Sequence, residues 1–163
     1  YTSGSNPYGY AGLGDISVFL FFGLVGVLGT FFLHSLQANP LVVLIACSLG
    51  CFSTAVLNIN NIRDIDSDQL AGKRSIPVRI GKSRAITYHW TLIAVAYACL
   101  LAFAGLSQAY GSFLAVVSLP WMIHMGIGLQ NATSAEKTDP YLKQMALSTL
   151  LWTLLFGIGL LIF

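Results

Sequence analysis

Charged side chains are scarce in this sequence, and that scarcity indicates the class of protein. Only 9% of the 163 residues are Asp, Glu, Lys or Arg, whereas 56% are hydrophobic. Soluble domains carry about 25% charged residues, so this composition is typical of an integral membrane protein. The formal net charge of +2 is too small to suggest a nucleic-acid partner, and no basic patch alternates with aromatic residues.

Cysteine is also rare, and the three present suggest neither disulfides nor zinc. Cys47, Cys51 and Cys99 all lie in apolar runs, and an odd number argues against a disulfide framework. Cys47 and Cys51 are one helical turn apart, but no His or further Cys lies near them in the sequence to complete a zinc site. We interpret all three as small apolar residues within helices.

Long apolar runs dominate the chain and have the length of membrane-spanning helices. A span needs about 20 residues, and turn-forming residues separate the runs. Buried helices of a soluble protein would need polar outer faces, which these runs lack. The sequence therefore predicts an all-α membrane protein, with residues 1–163 as a single integral membrane domain and five transmembrane helices at about 16–36, 41–62, 86–106, 113–129 and 145–163.

The distribution of cations predicts the orientation of these helices. All eight Lys and Arg residues lie in the loops predicted at 63–85 and 131–143, which five spans place on one side of the membrane. The loops at 37–40 and 107–111 contain none. Because cytoplasmic loops carry the excess of Lys and Arg, we expect the 63–85 loop to face the cytoplasm.

Half of the six acidic residues lie within five positions, at the end of the second apolar run. If its helix continues, Asn60, Asp64 and Asp68 fall at i, i+4 and i+8 on one face, with Asn61 beside them. Carboxylates one turn apart can share a hard cation, and Mg²⁺ fits because it leaves positions for substrate phosphate. Asp66 points elsewhere, and it holds a water, pairs with a cation or is only solvated.

The acidic residues and the cations that follow them each have a second interpretation that involves no metal or diphosphate. The acidic residues could be a solvated helix end, although uncompensated neighbouring carboxylates repel each other and tend to take up protons. Lys73 and Arg74 follow closely enough to contact a metal-bound diphosphate, or they reflect the ordinary bias of positive charge toward the cytoplasm.

His124 lies mid-membrane, where an ionisable residue marks a functional site or forms a hydrogen bond with a neighbouring helix.

The motif region resembles a known family of membrane enzymes. Asn60-Asn61-x-x-Asp64-x-x-x-Asp68, followed by Gly72-Lys73-Arg74 and Pro77-Val-Arg-Ile-Gly81, resembles the second aspartate-rich motif of the UbiA superfamily of intramembrane prenyltransferases. The residues of this motif, and those of Pro7-Tyr-Gly-Tyr-Ala-Gly-Leu-Gly14, are most similar to the 1,4-dihydroxy-2-naphthoate polyprenyltransferases of menaquinone synthesis. That branch implies a multi-pass protein of the bacterial cytoplasmic (inner) membrane.

The resemblance also implies a bundle of about nine helices with two aspartate-rich motifs. This chain has the second motif and five predicted helices, so it resembles the C-terminal part of such an enzyme. We expect it to be inactive without the N-terminal helices, which would carry the first motif. The implied substrates are a polyprenyl diphosphate and an aromatic acceptor, with the isoprenoid tail lying between apolar helices and open to membrane lipid.

The resemblance assigns roles to eight residues. Asp64 and Asp68 would be the catalytic carboxylates that bind Mg²⁺, and amide oxygens would assist them. The complete set comprises the metal ligands Asn60, Asn61, Asp64 and Asp68, the diphosphate-binding Lys73 and Arg74, and Arg63 and Asp66 outside the metal's direct contacts.

Three alternatives to this function remain open. The first is transfer to another aromatic acceptor, such as 4-hydroxybenzoate, because related enzymes share the motif loosely. A CDP-alcohol phosphotransferase is disfavoured, since its motif needs an Asp-Gly pair that this chain lacks. A cation-coupled transporter is disfavoured too, since transporter sites lie near the membrane midplane on broken helices.

Overall fold

The computed structural model describes residues 9–162, and they form helices without a β-strand. Five helices are long and apolar enough to cross a membrane, which confirms the predicted all-α membrane fold. Two short helices lie between the second and third spans. The helices are α1 Gly14–Ser35, α2 Val42–Arg63, α3 Ile65–Leu70, α4 Ile76–Ile80, α5 Lys82–Ser107, α6 Tyr110–Asn131 and α7 Ala135–Ile162.

The central helix is α2, which packs against α1, α5 and α7. The Phe52 ring joins three of these helices, because its centroid lies 5.7 Å from that of Tyr97 and 5.3 Å from that of Trp152. Polar side chains add contacts between α2 and α5: Ser48 Oγ donates to the Ala96 carbonyl (2.8 Å), and Asn58 Nδ2 donates to the Ala85 carbonyl (2.9 Å). Such bonds across helices are a common means of association in membranes.

Helix α1 lies at the edge of the described bundle and approaches α2 at one glycine pair. A Cβ on Gly23 would lie 2.6 Å from Gly50 Cα and 2.8 Å from the Ala46 carbonyl oxygen, so the backbones pack without a side chain between them. Around this point α1 is π-helical, over Phe19–Val25. A Cβ on Gly29 would meet nothing within 4 Å, so this glycine is not part of the crossing.

Two spans differ from the sequence-based prediction, α6 in its type of helix and α7 in its starting residue. Helix α6 begins as a 3-10 helix, Tyr110–Ser118, and becomes α-helical at Leu119, next to Pro120, which lacks the N–H that a continuous α-helix would use. The predicted loop at 131–143 is wrong, because α7 begins at Ala135 rather than near Met145. Proline within a helix removes one backbone hydrogen bond, and α7 accommodates Pro140 within its length of 28 residues.

Candidate metal and diphosphate site

The predicted motif lies where α2 gives way to α3. Asp64 leaves helical geometry with φ −98° and ψ 12°. The turn-to-turn bonding nevertheless continues, since the Asp64 N–H donates to the Asn60 carbonyl (3.1 Å) and the Asp68 N–H to the Asp64 carbonyl (2.8 Å). The motif therefore forms an extension of α2 with a change of geometry at Asp64.

Arg63 organises one half of the motif. Its Nε donates to Asp64 Oδ1 (2.8 Å), and its Nη2 donates to both Asp64 Oδ2 (3.0 Å) and Asn60 Oδ1 (2.9 Å). Its Nη1 donates to Asp139 Oδ1 of α7 (2.5 Å). We call Asn60, Arg63, Asp64 and Asp139 the arginine cluster; it connects the end of α2 to the first turns of α7.

Lys73 organises the other half. Its ammonium donates to Asp68 Oδ2 (2.8 Å) and to Asn61 Oδ1 (3.1 Å). The backbone N–H of Lys73 also donates to the Asp68 carbonyl (2.8 Å), which fixes the turn after α3. We call these three residues the lysine cluster. It is less exposed than the arginine cluster, with side-chain exposures of 14% for Lys73 and 11% for Asp68, against 26% for Arg63 and 30% for Asp64.

The two clusters share a pattern. In each, a cation contacts one motif aspartate and one asparagine oxygen, and the arginine cluster has Asp139 in addition. The sequence pattern grouped Asn60, Asp64 and Asp68 on one face, whereas the side-chain contacts divide them, with Asp64 bonded to Arg63 and Asp68 to Lys73.

The remaining predicted residues are more exposed. Asp66 is exposed and makes no side-chain hydrogen bond with the residues that the structure describes. The Arg74 side chain is exposed as well, and its backbone N–H donates to the Tyr10 carbonyl (3.0 Å). His124 also lies at the outer surface of α6 rather than between helices.

The segment before α1 packs against the motif. Arg79 donates to the Ala11 carbonyl, and Gly12 has a φ of +79°, a conformation that favours glycine. A Cβ on Gly12 would collide with the Arg74 carbonyl oxygen and the Arg79 guanidinium. Of the Pro7–Gly14 stretch that carried part of the resemblance, residues 7 and 8 lie outside the described residues.

An apolar groove of about 670 Å³ extends from the motif between α1, α2 and α7. Its polar end is formed by Asn60, Asp139 and Lys143. The rest is lined by small and apolar side chains, among them Val18, Phe22, Val56, Leu57, Leu142 and Ala146. The arrangement places Asn60 and Asp139, which both accept hydrogen bonds from Arg63, next to a surface suited to a hydrocarbon chain.

The donor atoms of the motif fit a divalent cation of the Mg²⁺ type. Two carboxylates and two amide oxygens are hard ligands, and Mg²⁺ commonly uses one or two carboxylates. Lys73 and Arg63 each occupy a point where an Asp and an Asn oxygen converge, which shows that these oxygens attract positive charge. Within residues 9–162, no group of three or more His, Cys, Asp or Glu side chains could hold a metal together.

Two acidic residues near this end of the bundle were missed from sequence. Asp139 had no role assigned, although it contacts Arg63. Asp15, at the start of α1, is buried, and its Oδ2 accepts a hydrogen bond from the Tyr88 hydroxyl (3.2 Å). The signal available for Asp139 was that its segment and the motif fall on the same side of a five-span bundle.

The fold and the site together define an integral membrane protein with paired Asn–Asp sites at one end of a helical bundle. Comparison with known families gives a match to the UbiA prenyltransferase family over residues 1–150. The chain belongs to the UbiA prenyltransferase family, as the motif indicated.

Relatives of known name align with nearly the whole chain but are longer. Two of them, each named 1,4-dihydroxy-2-naphthoate octaprenyltransferase, are from Haemophilus influenzae (42% identical over 99% of this chain and 53% of that protein) and Escherichia coli (37% identical over 98% and 52%). A third of the same name, from Mycobacterium tuberculosis, is 34% identical over 94% of this chain and 52% of that protein. The chain spans about half the length of these relatives. No solved structure matches it.

Proposed function

We propose that this chain supplies the second aspartate-rich motif of a membrane prenyltransferase. The complete protein would transfer a polyprenyl group from its diphosphate to 1,4-dihydroxy-2-naphthoate, in menaquinone biosynthesis. The allylic C–O bond to diphosphate breaks, the ring carbon that bears the carboxylate forms a C–C bond, and CO₂ and diphosphate leave. The names of the relatives support the acceptor. Two Asn–Asp–cation clusters, and an apolar groove whose polar end includes Asn60 and Asp139 of the arginine cluster, support the donor.

Asp64 and Asp68 would hold Mg²⁺, with the oxygens of Asn60 and Asn61 beside them. The bound metal would neutralise charge on the leaving diphosphate and so favour its departure. Lys73 would release Asp68 and bind diphosphate oxygens instead, because its flexible stem allows the ammonium to move while remaining near the site. Arg74 is exposed next to this cluster and would bind diphosphate or close the segment over it.

The apolar groove would hold the first isoprene units of the donor. Asn60 and Asp139 are at its polar end, and apolar side chains of α1, α2 and α7 continue away from it. A chain anchored by its diphosphate would therefore extend into the bundle and reach lipid between α1 and α7. Exclusion of water from the reacting carbon would favour transfer to the acceptor over hydrolysis of the donor.

The motif end of the bundle would face the cytoplasm of a bacterial inner membrane. Contacts of Arg63 with Asp139 and of Lys82 with the Ala132 carbonyl bring the two cation-rich segments to the same end. An excess of positive charge marks the cytoplasmic side. The other helices of the complete protein would supply the first motif and close the site.

The test is prenyl transfer by membranes that contain the complete protein. Dihydroxynaphthoate and a polyprenyl diphosphate are supplied with Mg²⁺ or with EDTA, and prenylated naphthoquinol and released CO₂ are measured. We expect both products with Mg²⁺ and neither with EDTA. Product with 4-hydroxybenzoate alone would refute the acceptor, and no product with any aromatic acceptor would favour a cation-coupled transporter.

A further inference from the structure

Asp139 connects the arginine cluster with the apolar groove. It lines the polar end of the groove with Asn60 and Lys143, and it lines a second cavity of about 440 Å³ with Arg63 and Asp64. A residue of α7, 76 positions along the chain from Arg63, thus completes the surroundings of a motif aspartate.

Arg63 divides its donors between two carboxylates. Nε and Nη2 contact Asp64, while Nη1 contacts Asp139. A divalent cation bound by Asp64 would compete with the first two contacts, and it would leave the third untouched. Arginine remains charged at any pH that the protein meets, so the guanidinium needs another acceptor once Asp64 is taken.

We propose that Asp139 is a positioning residue that retains Arg63 beside the site when Asp64 binds the divalent cation. The exchange then leaves no unpaired positive charge next to the metal. This inference rests on the proposed function only in treating Asp64 as a metal ligand. The two donors that Asp64 gives up become free for a bidentate contact with a phosphate group, a geometry that the guanidinium favours.

The experiment measures metal binding rather than catalysis. The complete protein, purified in detergent, is titrated with Mn²⁺, and free Mn²⁺ is followed by electron paramagnetic resonance. In Asp139→Asn, Arg63 retains only Asp64 as an ionic partner, so Mn²⁺ should bind about two- to fivefold more weakly, the range set by a partly exposed ion pair. Asp139→Glu retains the carboxylate and should bind Mn²⁺ as the wild type does.

Two further variants separate positioning from general electrostatics. Glu136→Gln removes the same charge from the same end of α7, but Glu136 forms no ion pair with the described residues, so its effect should be at most half that of Asp139→Asn. In an Arg63→Gln background, Asp139→Asn should add no more than Glu136→Gln does. Asp139 acts through Arg63, so only the general electrostatic part of its effect should remain without the arginine.

Three outcomes would overturn the proposal. They are an Asp139→Asn effect equal to that of Glu136→Gln, an effect that persists undiminished without Arg63, and a wild-type protein that binds no Mn²⁺. The last would also count against the proposed function. By contrast, the expected Mn²⁺ pattern in a protein that prenylates no aromatic acceptor would support the role of Asp139 and refute the proposed reaction.

Discussion

Replacing Lys73 by Met should destabilise the protein far more than an ordinary lysine substitution. Lys73 Nζ lies 2.8 Å from Asp68 Oδ2, and both side chains are mostly buried. Removing one partner of a buried pair costs about 3–5 kcal/mol, because the other charge is left uncompensated. Since Lys73 and Asp68 retain exposures of 14% and 11%, we expect the low end, about 3 kcal/mol.

Double substitution gives this prediction a sharper form. Adding Asp68→Asn to Lys73→Met removes the remaining charge, so the double variant should lie within about 1 kcal/mol of the wild type, as expected when both partners of a pair become neutral. Lys137→Met is the matched control, because Lys137 is exposed and its ammonium donates only to the Thr133 hydroxyl (3.4 Å) among the described residues. Its cost should be within about 0.5 kcal/mol.

The assay is unfolding of the complete protein in mixed micelles, followed by tryptophan fluorescence, with and without Mg²⁺. If Asp68 is a metal ligand, Mg²⁺ should restore stability to Lys73→Met, by about 2.7 kcal/mol at a concentration one hundred times its Kd. A Lys73→Met cost as small as that of Lys137→Met would refute the reasoning. So would a double variant less stable than Lys73→Met alone.

Two further substitutions test the motif and the packing of α1. Asp64→Asn should abolish prenyl transfer by the complete protein and Asp66→Asn should reduce it less, because Asp66 is exposed outside both clusters; equal losses in the membrane assay would contradict this assignment. Gly23→Leu should weaken the α1–α2 contact by at least about 2 kcal/mol, because its Cβ would meet the backbone of Gly50, whereas Gly29→Leu should be near neutral in the unfolding assay.

The spans and the position of the motif could be predicted from sequence because both are local properties. An apolar run of about 20 residues specifies a spanning helix without reference to its neighbours. In the same way, the motif aspartates follow directly on the apolar run that becomes α2. The division of the motif into two clusters could not be predicted, since it depends on Arg63 reaching α7 and on the turn that places Lys73 against Asp68.

The start of α7 was mispredicted because local turn signals were given more weight than periodicity. The turn-forming residues from Asn131 to Pro140 suggested a loop. The buried residues of α7 are nevertheless spaced by seven, three, four and seven positions, as on one face of a continuous helix: Thr138, Met145, Ser148, Trp152 and Gly159. This pattern begins before the predicted span and would have extended the helix toward its observed start.

The length of α7 has a consequence for how the two clusters respond to salt. At 1.5 Å per residue, 28 residues measure about 42 Å, whereas the hydrocarbon layer is about 30 Å thick. The charged residues of α7 all lie between Ala135 and Lys143, so we expect the surplus of about two turns to extend past the hydrocarbon layer at that end and to place Asp139 in the headgroup region. Dissolved ions screen charges there over about 8 Å at physiological ionic strength. Added salt should therefore loosen the arginine cluster while leaving the buried lysine cluster almost unchanged, so that ionic strength acts on one half of the motif alone.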